Sequence, residues 1–384
     1  MTRIKRGNIG IGHPLGFNCY DSRGTLLLRL GQTITSASQL EALLARGLFV
    51  KPPMRAEADQ APFDLFENCK DGMRALFARI RCQDGADLPE RIAAIGRDIQ
   101  SLCERDADAA LGAVHLDRVC RYTTVHPLHK AIVCELVAAR MGVPARERLS
   151  ILAAALTANI SAIDLQESLQ LHRAPLSEAH REAIRLHPLL SAEMLRVFGV
   201  RDELWLDTVL QHHEKLDGSG YPYARRGADV SPYAQLVGLA DVYCAMVKTR
   251  AYRGAVHGKE ALRRLFLDHG ARMDSEMVQV FIKEIGIYPP GSFVRLQNGE
   301  TAVVTRRGKS SATPRVRSVL DPRGMPLADA IRRDTARKEH GIVATMPRVK
   351  TVAIDFPTLW DYGYQGSSAK RRPGAWMGVY TLFR

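Results

Sequence analysis

From about residue 123 to 288 apolar residues recur at helical spacing, with almost no alternating pattern that would make a strand. A run of that kind can bury its apolar faces only by packing helix against helix. His126 opens a helix through Leu128, Ile132, Val133, Leu136 and Val137, and Gly142 and Pro144 end it. Leu149 to Ile160 is the most apolar helix and is expected at the centre. Further helices are expected from Ser177, after Pro175 and carrying His187-Pro188, and over Leu204 to His213. Leu236 to Val247 carries Asp241, and segments around Leu262 and Val278 complete the bundle. Residues 60–122, with Leu65, Met73, Leu76, Phe77 and Ile80 in phase, form a helical connecting region. Residues 1–55 read as a small α+β unit. There Leu26 to Leu30 is a strand, and a helix through Gln39 to Leu44 is capped within Thr35 to Ser38. Residues 289–384 are β-rich and basic, starting with a hairpin on Asn298-Gly299. Further strands are expected at Val316–Leu320 and Val349–Ile354, and a loose tail beyond Gln365, its end anchored by Trp376 and Tyr380. The fold class is mainly α, a helical bundle core with small β-containing units at both ends.

Inside the bundle lies Gln211-His212-His213-Glu214-Lys215-Leu216-Asp217-Gly218-Ser219-Gly220-Tyr221-Pro222. Two adjacent imidazoles at a helix end point to a metal. Gly218 and Gly220 permit a backbone that lies close against a ligand, Tyr221 offers a ring face, and Pro222 stiffens the exit. A carboxylate at Asp241, between Leu239-Ala240 and Val242-Tyr243, is costly to bury unless paired or metal-bound. His126, His187, His212, His213 and Asp241 are spread over facing helices, the arrangement from which bundle cores build metal sites.

The 46% hydrophobic and 25% charged composition is that of a soluble globular protein. The basic N-terminus has no apolar run behind it, which argues against a signal peptide. The apolar stretch Ile151 to Ile163 is too short for a membrane span. Seven scattered cysteines without a CxxC pair fit reduced thiols and a cytoplasmic setting. Of the formal charge of +13, 16 Lys/Arg against 7 Asp/Glu fall from residue 300 onward. Their dispersal, without a recognisable nucleic-acid module, favours a solubilising surface over a nucleic-acid arm.

The string from His212 to Pro222 closely resembles the signature of HD-GYP proteins, a branch of the HD phosphohydrolase superfamily. The resemblance extends to His126 ahead of Gly142, to His187-Pro188, to Ala240-Asp241-Val242-Tyr243 and to Thr249-Arg250-Ala251-Tyr252-Arg253, and so covers about 123–288. It implies an HD-type bundle holding two or three metals, usually iron or manganese, and hydrolysis of cyclic di-GMP. It also implies contacts of the Gly-Tyr-Pro loop with diguanylate cyclase domains. The sequence departs from the pattern where the His-Asp pair belongs. Thr157-Ala158-Asn159-Ile160-Ser161-Ala162 stands in place of a Leu-His-Asp-x-Gly-Lys string, so that Ala158, Asn159 and Ala162 replace the histidine, aspartate and lysine. Tyr122 stands where some members have a glutamate, and Cys244 where the Asp-Val-Tyr-Asp string ends.

These changes remove the bridging carboxylate that offsets repulsion between two ions. One ion would retain only His126 and Asp241; the other would retain His187, His212 and His213. The expectation is therefore at most one divalent metal (Fe, Mn or Zn) bound well, with hydrolysis weak or absent. Arg250 and Arg253 remain for phosphate oxygens, and Gly218, Gly220, Tyr221 and Pro222 for base or backbone contacts. The implied role is a cyclic di-GMP sensor or a protein-interaction scaffold; the alternative is an active phosphodiesterase with a reduced metal site. Restoring histidine at 158 and aspartate at 159 is expected to raise metal occupancy toward two.

Overall fold

The computed structural model describes residues 61–117, 121–172, 174–248, 258–269, 272–347 and 356–362, together with short segments within the first sixty residues. Two compact units result, 1–60 and 61–384. In the first, strands β1 (Thr2–Arg3), β2 (Cys19–Tyr20), β3 (Leu26–Leu28) and β4 (Phe49–Val50) form an antiparallel sheet in the order β1-β4-β2-β3. Helix α1 (Ala37–Ala45) is capped as expected. The Ser36 hydroxyl accepts from the Gln39 amide at 3.2 Å, and the Gln39 side chain accepts from the Thr35 amide at 2.9 Å.

The second unit opens with α2 (Pro62–Arg81), α3 (Leu88–Arg105) and α4 (Ala107–Leu116). Leu88, Ile92, Ile95, Ile99 and Leu102 bury one stripe of α3, and these helices form a layer of the main core. Next come α5 (Tyr122–Arg140), α6 (Ala145–Thr157), a 3-10 turn at Ile160–Ala162, and α7 (Ile163–Leu171). Helices α8 (Glu178–Val197), α9 (Glu203–Gln211), α10 (Pro232–Val247), α11 (Gly258–His269) and α12 (Ser275–Ile285) follow.

The most enclosed helix is α5, and the segment expected at the centre, after Leu149, packs against it with Ile151 to Ile160 buried. Every residue of α5 from Thr123 to Ala138 is buried, and it packs against α2, α3, α4, α6, α7, α10 and α12. Its charges are sheathed by partners, as where Arg148 donates to Glu135 at 2.8 Å. In α6 only Ile151 to Thr157 are buried. The stretch Ala145–Gln170 is long and apolar enough by length and composition to cross a membrane, but its apolar window is 67% buried inside the bundle and the 3-10 turn interrupts it.

Strands β5 (Phe293–Leu296), β6 (Thr301–Arg306), β7 (Arg315–Leu320), β8 (Pro326–Asp334) and β9 (Ile342–Met346) form an antiparallel sheet in the order β8-β7-β6-β5-β9. The Asn298-Gly299 hairpin is present, with Phe293 opposite Val303 and Gly299 at φ +85°. Phe293, Val303, Val319 and Leu320 join the bundle core, as do Leu359 and Trp360 from the short helix α13 (Phe356–Leu359) and the residue after it. Strands β8 and β9 had no sequence signal, because most of their side chains are exposed or half-buried and do not alternate. The strand expected at Val349–Ile354 and the Trp376 and Tyr380 anchors lie outside the described residues.

Candidate metal centre

Four helices deliver the expected ligands. His126 comes from the first turns of α5, His187 from the middle of α8, His212 and His213 from the end of α9, and Asp241 from α10. Gly238 lets α9 and α10 approach closely: a Cβ there would collide with the His212 carbonyl oxygen.

His187, His212 and His213 converge, with their potential ligand atoms all within 4.8 Å of one another. The backbone sets two of their tautomers. Pro188 has no N–H, so the Ile184 carbonyl lacks its helical donor. The His187 Nδ1–H donates to that carbonyl instead, at 2.6 Å. The Val209 carbonyl is left over at the end of α9, and the His212 Nδ1–H donates to it at 2.6 Å. A carbonyl can only accept, so both protons are on Nδ1 and both Nε2 atoms carry lone pairs. Those atoms face each other at 3.3 Å. Two lone pairs at that distance repel unless a cation lies between them or beside them. Burial holds all three rings neutral: His187 is pushed down to about 4 and His213 to about 3, and His212 lies well below the usual histidine value. Neutral imidazoles are the form that binds metal. The donor set fits one divalent ion with open positions.

The other expected pair meets differently. His126 Nε2 donates to Asp241 Oδ1 at 3.0 Å, and Lys130 Nζ lies 3.0 Å from the same oxygen. Burial pushes the Asp241 carboxyl up, but Lys130 and His126 outweigh it and hold the group well below the usual carboxylate range. Tyr122 stacks on the His126 ring with centroids 4.6 Å apart. Ala158 and Ala162 are buried and carry no donor atom, and Asn159 Oδ1 is buried without a hydrogen-bond partner among the described residues. The Ser161 hydroxyl donates to the His187 carbonyl at 3.1 Å, which places this segment against the histidine helix. These residues do not fit a second divalent ion: its histidine and carboxylate are absent, and Asp241 is already engaged by a cation.

The loop after His213 is built on itself. Buried Glu214 accepts from the amides of Tyr223 at 2.7 Å and Arg225 at 3.0 Å. Asp217 accepts from the Ser219 amide at 2.8 Å and pairs with Arg272. A Cβ on Gly220 would lie 2.5 Å from Glu214 Cα, and one on Gly218, at φ +77°, would meet the Arg226 side chain. Both glycines thus serve the loop's own closure. Half-buried Tyr221 stacks on His213 at 4.7 Å, which seats the Tyr221-Pro222 corner beside the histidine cluster. Arg250 and Arg253 lie outside the described residues. Sequence reasoning missed Lys130, although a lysine one turn after His126 and followed by Ala131-Ile132-Val133-Cys134 marks a buried charge that needs a partner.

The fold is an HD-type helical bundle, with three histidines converging from facing helices and Asp241 paired with His126 nearby. Residues 114–277 match the HD domain family. The chain is 29% identical over 227 residues to the cyclic di-GMP phosphodiesterase PA4108 of Pseudomonas aeruginosa, covering 59% of this chain and 55% of that one. It is 27% identical over 177 residues to 3'3'-cGAMP-specific phosphodiesterase 1 of Vibrio cholerae, covering 46% and 41%. The structure of Bd1817, an HDG"Y"P protein of Bdellovibrio bacteriovorus, shares the fold at a TM-score of 0.50 and 15% identity, over 73% of this chain and 98% of that one. The chain spans about half the length of the curated relatives it matches. Residues 114–277 are similar to HD domains of the HD-GYP type.

Proposed function

We propose that this is a bacterial, cytoplasmic cyclic di-GMP signalling protein of HD-GYP type whose hydrolytic site is reduced, and that it acts as a nucleotide sensor or a protein-interaction scaffold. The observation that carries the reading is the segment at 158–162, which presents the methyl group of Ala158 and the neutral amide of Asn159 where the resemblance puts a histidine and a bridging aspartate. One divalent ion at His187, His212 and His213 would supply a Lewis-acid contact for a phosphate oxygen. The chain's own contribution is to orient that phosphate. Tyr221 and Pro222 form the wall beside the cluster, and Arg250 and Arg253 are the cationic groups assigned to the remaining phosphate oxygens. A diguanylate cyclase-type or other signalling domain is the kind of protein partner proposed for the Gly-Tyr-Pro loop, in preference to nucleic acid. Loss of the two-ion clamp and of a cationic side chain at Ala162 removes several kcal/mol of transition-state stabilisation, about 10³-fold or more in rate.

The second reading is a slow phosphodiesterase working with one metal. It is favoured by the open positions that three imidazoles leave on an ion and by the unpartnered Asn159 oxygen. Calorimetry with cyclic di-GMP and with 3'3'-cGAMP, elemental analysis of the same sample, and a hydrolysis assay separate the two. Binding with one metal or none and no turnover is the expected result. Two tightly held metals with turnover at ordinary enzyme rates would reject the reduced site.

A further inference from the structure

Lys130 is fully buried, one helical turn after His126, so both side chains leave α5 on the same face. Asp241 Oδ1 accepts from the imidazole Nε2 at 3.0 Å and is ion-paired with the ammonium Nζ, also at 3.0 Å. An isolated buried ammonium is far too costly to persist, and a half-buried carboxylate among apolar helices gains from a cation beside it. Each therefore explains the other. Lys130 has no exposed surface and hence no path by which its charged end reaches solvent while its stem remains in place.

We propose that the Lys130 ammonium holds the position of a second cation, so that the centre is built for one exchangeable metal ion, at His187, His212 and His213, beside one tethered monovalent charge. The inference rests on the reduced-site reading above and deepens it. A divalent ion at Asp241 would have to share one carboxylate with an ammonium and an imidazole N–H already on its Oδ1. The loss at Ala158 and Asn159 is therefore half of the change, and the lysine is the other half. Restoring the histidine and aspartate alone, the step expected from sequence to raise occupancy, does not make a second site.

The test is metal stoichiometry on the full chain, by elemental analysis and manganese calorimetry, with folding checked by circular dichroism. Wild type and the Ala158→His/Asn159→Asp variant are each expected to hold no more than one ion. Adding Lys130→Met, which keeps the stem and removes the charge, is expected to admit a second ion. Its dissociation constant should be at least about 100-fold tighter than in the two-substitution variant, from relief of charge repulsion at close range. A two-substitution variant that binds two ions with Lys130 present overturns the inference alone; so does a folded three-substitution variant that binds only one. Two ions in wild type overturn the inference and the reduced-site reading together. A second measurement needs no metal and no restored pair. In chelator-treated protein Asp241→Asn is expected to lower the urea midpoint, and Lys130→Met added to it to recover at least half of the loss. No recovery overturns the pairing.

Discussion

At the residue scale the centre depends on where protons sit, and a residue that touches no ligand decides one of them. Pro188 frees the Ile184 carbonyl, which accepts from the His187 Nδ1–H and leaves the Nε2 lone pair facing the cluster. Pro188→Ala would give that carbonyl a backbone donor and release the ring to turn. The expected outcome is metal affinity lower by about 10–100-fold, the usual effect of losing a partner that orients a ligating histidine. Thermal stability of the metal-free protein should be unchanged or higher, because proline inside a helix costs about 3 kcal/mol. Chelator competition and a melting curve on the same sample read the two separately; affinity that falls only in step with stability would contradict the positioning role. The histidines and Asp241 were legible in the sequence because they are metal-ligand types in apolar settings. The hydrogen bond behind Pro188 was not, because it depends on a carbonyl that no side-chain pattern reports.

At the scale of elements, burial and apolarity part company in α5. It carries His126, His129, Lys130 and Glu135, yet it is enclosed along nearly its whole length. Hydropathy points to α6 as the centre of the bundle, because hydropathy counts side chains and not their partners. Lys130 is matched by Asp241 and Glu135 by Arg148, contacts made 111 and 13 residues away in the chain. The polar ends of α6 are satisfied in a comparable way. The Trp205 indole donates to the Thr157 hydroxyl at 2.7 Å, and that hydroxyl donates to the Ala153 carbonyl at 2.7 Å. Helix boundaries were legible from prolines and caps; the close crossing of α9 over α10 was not, since Gly238 is one glycine in an apolar run. Gly238→Ala would drive a methyl into the His212 carbonyl. Alanine favours the helix by about 1 kcal/mol, so any net loss measures the crossing. The expected outcome is destabilisation by about 1–3 kcal/mol from overpacking, with reduced metal affinity as the α9 end shifts away from His187. Urea unfolding and calorimetry check it; a gain in stability equal to the helix propensity would show that the two helices can separate without cost.

At the scale of the whole molecule, the basic C-terminal region is held by its charges. Glu300 accepts from Arg333 at 2.6 and 2.8 Å and from the Ser318 hydroxyl at 2.6 Å, joining β8 and β7 to the turn before β6. The Arg333 hydrogen bonds pull the Glu300 carboxyl down to about 2. A depressed carboxyl contributes its stability above the unfolded value near 4.5 and loses it as pH falls through about 2. Glu300→Gln should therefore cost on the order of 2–3 kcal/mol at neutral pH and flatten the decline in stability between those values, read by urea unfolding across pH. Arg307 extends the same logic to the bundle. Its guanidinium donates to Asp108 of α4 at 2.6 Å and to Glu284 of α12 at 2.5 Å, so it ties the sheet to two helices. Arg306 pairs with Asp106, and Arg317 and Arg332 with Asp361. The charge excess was legible in the sequence, but its use was not, because the acids that meet it lie as far as 200 residues back. A cut near residue 305, a natural choice for removing a basic arm, would sever β6 and is no clean test. Paired substitutions are. Arg307→Met leaves two half-buried carboxylates without their partner and is expected to lower stability by about 1–3 kcal/mol, discounted from the buried-pair range for partial exposure. Lys309→Ala and Arg315→Ala, both at exposed positions, are expected to change it by less than about 0.5 kcal/mol. Neither exposed substitution should alter binding to DNA or RNA across a salt series. Steeply salt-dependent binding that weakens on loss of Lys309 and Arg315, with stability unchanged, would instead mark the region as a polyanion surface and not a brace.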